Sequence, residues 1–78
     1  MENAAERTAR LTEEVAKAML TTLGVDELDG LLGSINSAPE EIEEELEWIM
    51  SDWHLTLNEA GMIFSLALER AVELFMDS

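Results

Sequence analysis

Three observations predict an all-α fold for this 78-residue chain, a small bundle of three main helices with a short helical turn in the first connector. Apolar residues recur at three- and four-residue spacing in three separate stretches. Two capping-box patterns, Asn3 with Glu6 and Thr56 with Glu59, mark helix starts. Gly24 and Pro39 stand where one helix is expected to stop and another to begin. Residues 1–78 read as a single acidic helical domain. A chain this short buries only ~60% of its unfolded surface, so its core is marginal. It has no cysteine, and neither a disulfide nor a thiolate metal site can staple it. Its hydrophobic content of 47% is nevertheless well above that of disordered chains.

The first helix is expected over 4–23, capped by Asn3 and stopped by Gly24. Leu11, Val15, Met19 and Leu23 form its apolar stripe, with Ala5, Ala16 and the methyls of Thr8 and Thr12 beside them. Its other face balances its charges, with Glu6–Arg10 and Glu13–Lys17 at the favourable i,i+4 spacing. Residues 25–36 form a connector broken by Gly30 and Gly33, within which 26–32 can make a helical turn with Leu28, Leu31 and Leu32 inward. The acids Asp26, Glu27 and Asp29 lack the spacing and the closing glutamate of a calcium loop. The second helix is expected to start at Ser37 as cap, with Pro39 in its first turn, and to bury Ile42, Leu46, Ile49, Met50 and Trp53. Trp53, His54 and Leu55 make a tight corner. The third helix, capped by Thr56 and running to about residue 76, is apolar over more than half its circumference: Leu57, Ala60, Phe64, Ala67, Leu68, Ala71, Val72, Leu74 and Phe75. It is the expected centre of the core, and Gly61 on its inner side allows close helix packing.

Charge narrows the function. The net charge of −14 comes from fourteen Glu and four Asp against four Lys and Arg. Such a balance opposes direct binding to nucleic acid or anionic membrane and favours basic protein surfaces. The acids are clustered: six of the eight residues in 40–47 are glutamates, Glu40, Glu41, Glu43, Glu44, Glu45 and Glu47, with no cation among them. Like charges at helical neighbour spacing cost a few tenths of a kcal/mol per pair. At roughly 1.5 Å per residue the run is about 12 Å long, one charge per roughly 2 Å, close to the ~1.7 Å of duplex DNA. Glu40 and Glu41 sit where the helix macrodipole favours them, whereas the later glutamates are expected to gain less.

Trp48 falls on this acidic side, among Glu41, Glu44, Glu45 and Asp52, the pattern of an aromatic anchor inside a charged rim. The same position also lets it fold over the connector onto Leu31 or Leu32. Met62, Leu66 and Met76 interrupt the polar stripe of the third helix and offer a second contact or a dimer face. His54, the single histidine, has no Cys or His companion for a metal site. No activated nucleophile, phosphate loop or cofactor signature is present, so no catalytic residue, cofactor or metal is assigned and the chain reads as a non-enzyme.

In charge character the chain resembles the small acidic proteins that phages use against host defences, the DNA-mimic anti-restriction and anti-CRISPR inhibitors. Glu40, Glu41, Glu43, Glu44, Glu45, Glu47, Trp48 and Asp52 carry the resemblance. It implies an inhibitor that blocks a basic nucleic-acid-binding surface, with the carboxylates standing in for phosphates. The alternatives are a helical homodimer or small regulatory subunit whose acidic face only confers solubility, and an acidic chaperone for basic proteins. The start, Met1 to Glu6, lacks the basic and apolar segments of a signal peptide, and the nearly apolar run 60–68 is too short to span a bilayer. The expected location is the cytoplasm, that of the host cell for a phage protein.

Overall fold

The computed structural model describes residues 2–33 and 36–77, with the side chain of Val25 outside the description, as are residues 34 and 35 of the expected connector. Helix α1 spans Ala4–Thr22, α2 Val25–Leu32, α3 Glu43–Trp53 and α4 Leu57–Asp77, with a 3-10 turn, Pro39–Ile42, leading into α3. There is no strand among the described residues, and the fold is the small all-α bundle read from the sequence.

Both predicted caps form, and at Thr56 the capping box is reciprocal. The Glu6 N–H donates to Asn3 Oδ1 at 2.8 Å and opens α1. At α4 the Glu59 N–H donates to Thr56 Oγ1 at 3.2 Å, and the Thr56 N–H donates back to Glu59 Oε1 at 3.4 Å. The Asn3 cap satisfies one backbone donor, and the Thr56 box two, that a helix start otherwise leaves to water. Gly24 has a different role from the expected stop. Leu23, in extended backbone, closes α1, and Gly24 is the cap of α2, its carbonyl accepting from the Leu28 N–H at 3.0 Å. The short turn in the connector is thus a full eight-residue helix, with Leu28 buried and Leu31 and Leu32 half-buried.

The second predicted helix is split. Ser37 is not its cap: Ala38 precedes the 3-10 turn, and its carbonyl accepts from the Glu41 N–H at 2.9 Å. Ile42, at φ −120° and ψ 28°, then breaks the screw before α3 starts at Glu43. Three residues per turn place Pro39 and Ile42 on one side, and both face the core. The Pro39 ring lies against Gly61 of α4 so closely that a Cβ on Gly61 would stand 2.7 Å from Pro39 Cγ. Gly61 therefore does permit the close approach expected of it, to a proline rather than to a helix backbone.

Helix α3 ends in a left-handed residue. His54 has φ 54° and ψ 50°, and the N–H groups of His54 and Leu55 both donate to the Met50 carbonyl. The Leu55 bond is the 6→1 bond of a Schellman closure and the His54 bond the 5→1 bond of an αL cap, and Leu55 itself is buried. Helix α4 is the centre of the molecule, packing against α1, α2, α3 and the 3-10 turn. Phe64, Ile63 and Leu68 of α4 meet Val15 and Met19 of α1 and Leu46 and Ile49 of α3 in a fully buried core. Phe75 departs from expectation: it is 47% exposed, near the end of α4. Ala5 is exposed too. No polar or charged residue is buried among the described residues, so every described charge is at the surface.

Candidate interaction surface

Cations are confined to two places in the sequence, Arg7, Arg10 and Lys17 in α1 and Arg70 in α4. All three arginines are engaged. Arg7 bridges to Glu59 at 3.0 Å, and Arg70 bonds Glu13 of α1 and Glu73 of its own helix. Arg10 holds Glu2 and Glu14, each at 2.8 Å. The expected pairs Glu6–Arg10 and Glu13–Lys17 give way to these, because Glu2 and Arg70 come within reach once the chain folds. The bridges 7–59 and 13–70 show that α1 and α4 run in the same sense. They also shift protonation. The Arg7 guanidinium, then the Thr56 N–H and hydroxyl, hold the Glu59 carboxyl below its ordinary value. Arg10 does the same for Glu2, and Glu2 and Glu13 raise Arg10 and Arg70 in turn.

The rest of the surface is different. Residues 23–57 carry ten acids and no Lys or Arg. Glu40, Glu41, Glu43, Glu44, Glu45, Glu47 and Asp52 are all exposed, and none has an ion-pair partner among the described residues. The six glutamates do not share one helix. Glu40 and Glu41 belong to the 3-10 turn, the other four to α3. This corrects the expected energetics: Glu43, Glu44 and Glu45 occupy the first turn of α3 itself, where no side chain caps the helix and the macrodipole favours them. Glu47 alone lies beyond that help. Asp26, Glu27 and Asp29 on α2 add to the same charge. They too have no Lys or Arg near them in the sequence.

Trp48 is half-buried rather than freely exposed, and meets Trp53 edge-on at 5.8 Å between ring centroids. It lines a groove of about 420 Å³ together with Leu23, Glu27, Gly30, Leu31 and Glu45. The groove thus brings Trp48 together with Leu31 of α2 and with Glu27 and Glu45. Met62, Leu66 and Met76 are exposed, at 49%, 39% and 77%. Leu66 borders a shallower depression of about 590 Å³ floored by Ala4, Ala5, Thr8, Ala9 and Thr12 of α1, with Glu13 at its edge. Met76 lies ten residues further along α4 and does not line it.

Among the described residues, no three His, Cys, Asp or Glu side chains are placed to hold a metal ion, and no helix is long and apolar enough to cross a membrane. Comparison with protein-family models, curated proteins and solved structures gave no match.

Proposed function

We propose that this chain is an acidic protein-binding inhibitor: its carboxylates take the place of nucleic-acid phosphates on a basic nucleic-acid-binding surface of a host defence protein of the CRISPR or restriction kind. The observation that carries this reading is the allocation of charge. Every arginine is engaged on α1 or α4, and the ten acids of residues 23–57 are left with no cation in their own stretch. Such a face repels itself until a partner's Arg and Lys side chains neutralise it. Charge complementarity of this kind speeds association and makes affinity fall as salt rises.

The test is affinity capture from nuclease-treated bacterial lysate with stepped salt elution, repeated with the triple variant Glu43→Gln, Glu44→Gln, Glu47→Gln. The expected result is one dominant nucleic-acid-binding protein, released by salt, blocked from its own nucleic acid by the wild type and not retained by the variant. Equal retention by both proteins overturns the reading, and a broad set of basic proteins points to a chaperone.

A second reading, self-association, is favoured by one observation. The α1–α4 side combines exposed Met62 and Leu66 with a depression floored by small side chains, and it is the side where charges are matched. Light scattering across dilution decides it. A dimer that dissociates on Leu66→Glu supports it, and a monomer at micromolar concentration removes it.

A further inference from the structure

We propose that the groove between α2 and α3 is a socket for one arginine side chain of the basic partner. The guanidinium lies against Trp48 between Glu27 and Glu45, and the methylene stem runs over Leu23 and Leu31. The inference rests on the inhibitor reading and gives the acidic face its one shaped contact.

Four features argue for it. First, the two carboxylates come from opposite walls, Glu27 from α2 and Glu45 from α3, and no Lys or Arg pairs with either among the described residues. An acidic occupant is repelled. A purely apolar one desolvates two carboxylates with nothing to compensate them. Second, the walls between the carboxylates are apolar and concave, which suits a long side chain with an apolar stem and a charged head. Third, the charged head meets an indole whose position is fixed by the edge contact with Trp53. A cation over an indole gains from the ring quadrupole, and a planar guanidinium also stacks flat on the ring while its fixed fork of five N–H donors reaches carboxylates to either side; an ammonium has no plane to stack. Fourth, Gly30 keeps the groove open. It lies inside α2, where glycine is weakly helix-forming, and its φ is not positive, so the backbone does not require glycine there. A Cβ built on it meets nothing within 4 Å. Because Gly30 lines the groove, a larger side chain at position 30 narrows the room proposed for the arginine.

Gly30 supplies a test that changes the groove without changing a charge. The probe is an acetylated, amidated octapeptide of alternating Gly and Arg, compared with the lysine and citrulline versions at fixed low salt. The readout is the Trp48 indole N–H signal in nitrogen–proton correlation spectra, assigned through Trp53→Phe. Saturable movement of that signal by the arginine peptide is expected, with at least threefold weaker binding of the lysine peptide and none of the citrulline peptide. Gly30→Leu is expected to weaken arginine-peptide binding at least tenfold. Gly30→Ala, which favours the helix, guards against misfolding and is expected to weaken it about threefold. Wild-type affinity in a folded Gly30→Leu or Gly30→Ala protein overturns the socket, as does equal binding of the lysine peptide. The inhibitor reading fails separately. A Gly30-sensitive peptide site in a chain that captures no nucleic-acid-binding protein leaves the socket standing and removes the inhibitor. Normal capture by Gly30→Leu does the reverse.

Discussion

Along the seam between α1 and α4, Glu13 and Glu59 each receive an arginine from the opposite helix, Arg70 and Arg7. Across α2, the 3-10 turn and α3, ten carboxylates share no cation at all. Composition does not separate these two regions, since both are rich in glutamate. What separates them is where four cations were placed. Ten of the fourteen net negative charges come from residues 23–57, and the rest of the chain, with eight acids and four cations, contributes four. Held on one rigid scaffold, the first region uses charge to join helices and the second presents it outward. Surface ion pairs such as those of the seam contribute little to stability, so the bundle is held by its buried side chains and the seam refines their alignment. The acidic face has to be carried by that same core, because no Lys or Arg of its own stretch offsets the repulsion.

The contact that fastens the acidic face to the core is therefore where the comparison breaks most easily. Pro39 sits on Gly61 at the foot of the glutamate run, and Leu46 lies 3.9 Å from the position of a Cβ at Gly61. Gly61→Ala drives that Cβ into a proline ring, which has no flexible end to yield. Overpacking of this kind costs about 1–3 kcal/mol, more than the ~0.5–1 kcal/mol that alanine gains over glycine in a helix. A fall in thermal midpoint is the expected outcome of a melting experiment, together with a weakening of the acidic face's binding. Gly30→Ala, with open space around it, should move the midpoint the other way. A Gly61→Ala protein at least as stable as wild type would show that the 3-10 turn is not fastened there.

Much of this fold was legible because local signals and packing agree. Asn3 and Thr56 cap where their patterns say, and the stripes Leu11–Val15–Met19 and Leu46–Ile49 are buried as their spacing requires. The split of the second helix was not legible. Ser37 and Pro39 form a sound local start signal, and only the tertiary contact of Pro39 with Gly61, 22 residues away in sequence, favours the 3-10 turn. The exposure of Phe75 is of the same kind: its helical position is apolar, but it lies near the end of α4, past the stretch that the other helices enclose. At the candidate site the glutamates and Trp48 could be named from sequence. The opposite wall of the groove could not, since Glu27 and Gly30 join Glu45 only through the docking of α2.

The carboxylates of α3 are not equivalent, and this sharpens the contrast with the seam. Glu43, Glu44 and Glu45 lie in the first turn, where the macrodipole returns roughly 0.3–1 kcal/mol against the repulsion among them. Glu47 lies a turn further, facing Glu43 and Glu44 at i,i+4 and i,i+3 spacing with no such help. Glu47→Gln should raise stability by about 0.5 kcal/mol at low ionic strength, from two relieved pairs. Glu44→Gln should be nearly neutral. The gain at Glu47 should vanish in molar salt, where the Debye length is about 3 Å. Chemical denaturation in urea at both ionic strengths measures this, and a gain insensitive to salt would mean that repulsion is not its source.

The seam should show the opposite sign, with a pH signature of its own. Glu59 is held below its ordinary value by Arg7 and by the Thr56 N–H and hydroxyl, so its folded carboxyl protonates at lower pH than its unfolded one. The stability this provides is fully present above the unfolded value of about 4.3 and is lost as pH falls through the folded value. Glu59→Gln keeps the capping-box geometry, because glutamine also serves at that position, but it removes the charge. The variant should melt slightly below wild type at pH 7, and the gap should close as pH falls through the lowered folded value of Glu59, where the wild-type side chain becomes neutral as well. Glu59 is only partly covered, so the effect is expected to be small. Its sign at pH 7 is what matters: removing one carboxylate from a chain of net charge −14 lowers its stability at the seam, whereas removing Glu47 from the acidic face raises it. A gap that stays constant from pH 7 to pH 3 would show that the charge of Glu59, and with it the pairing to Arg7, is not the source of the difference.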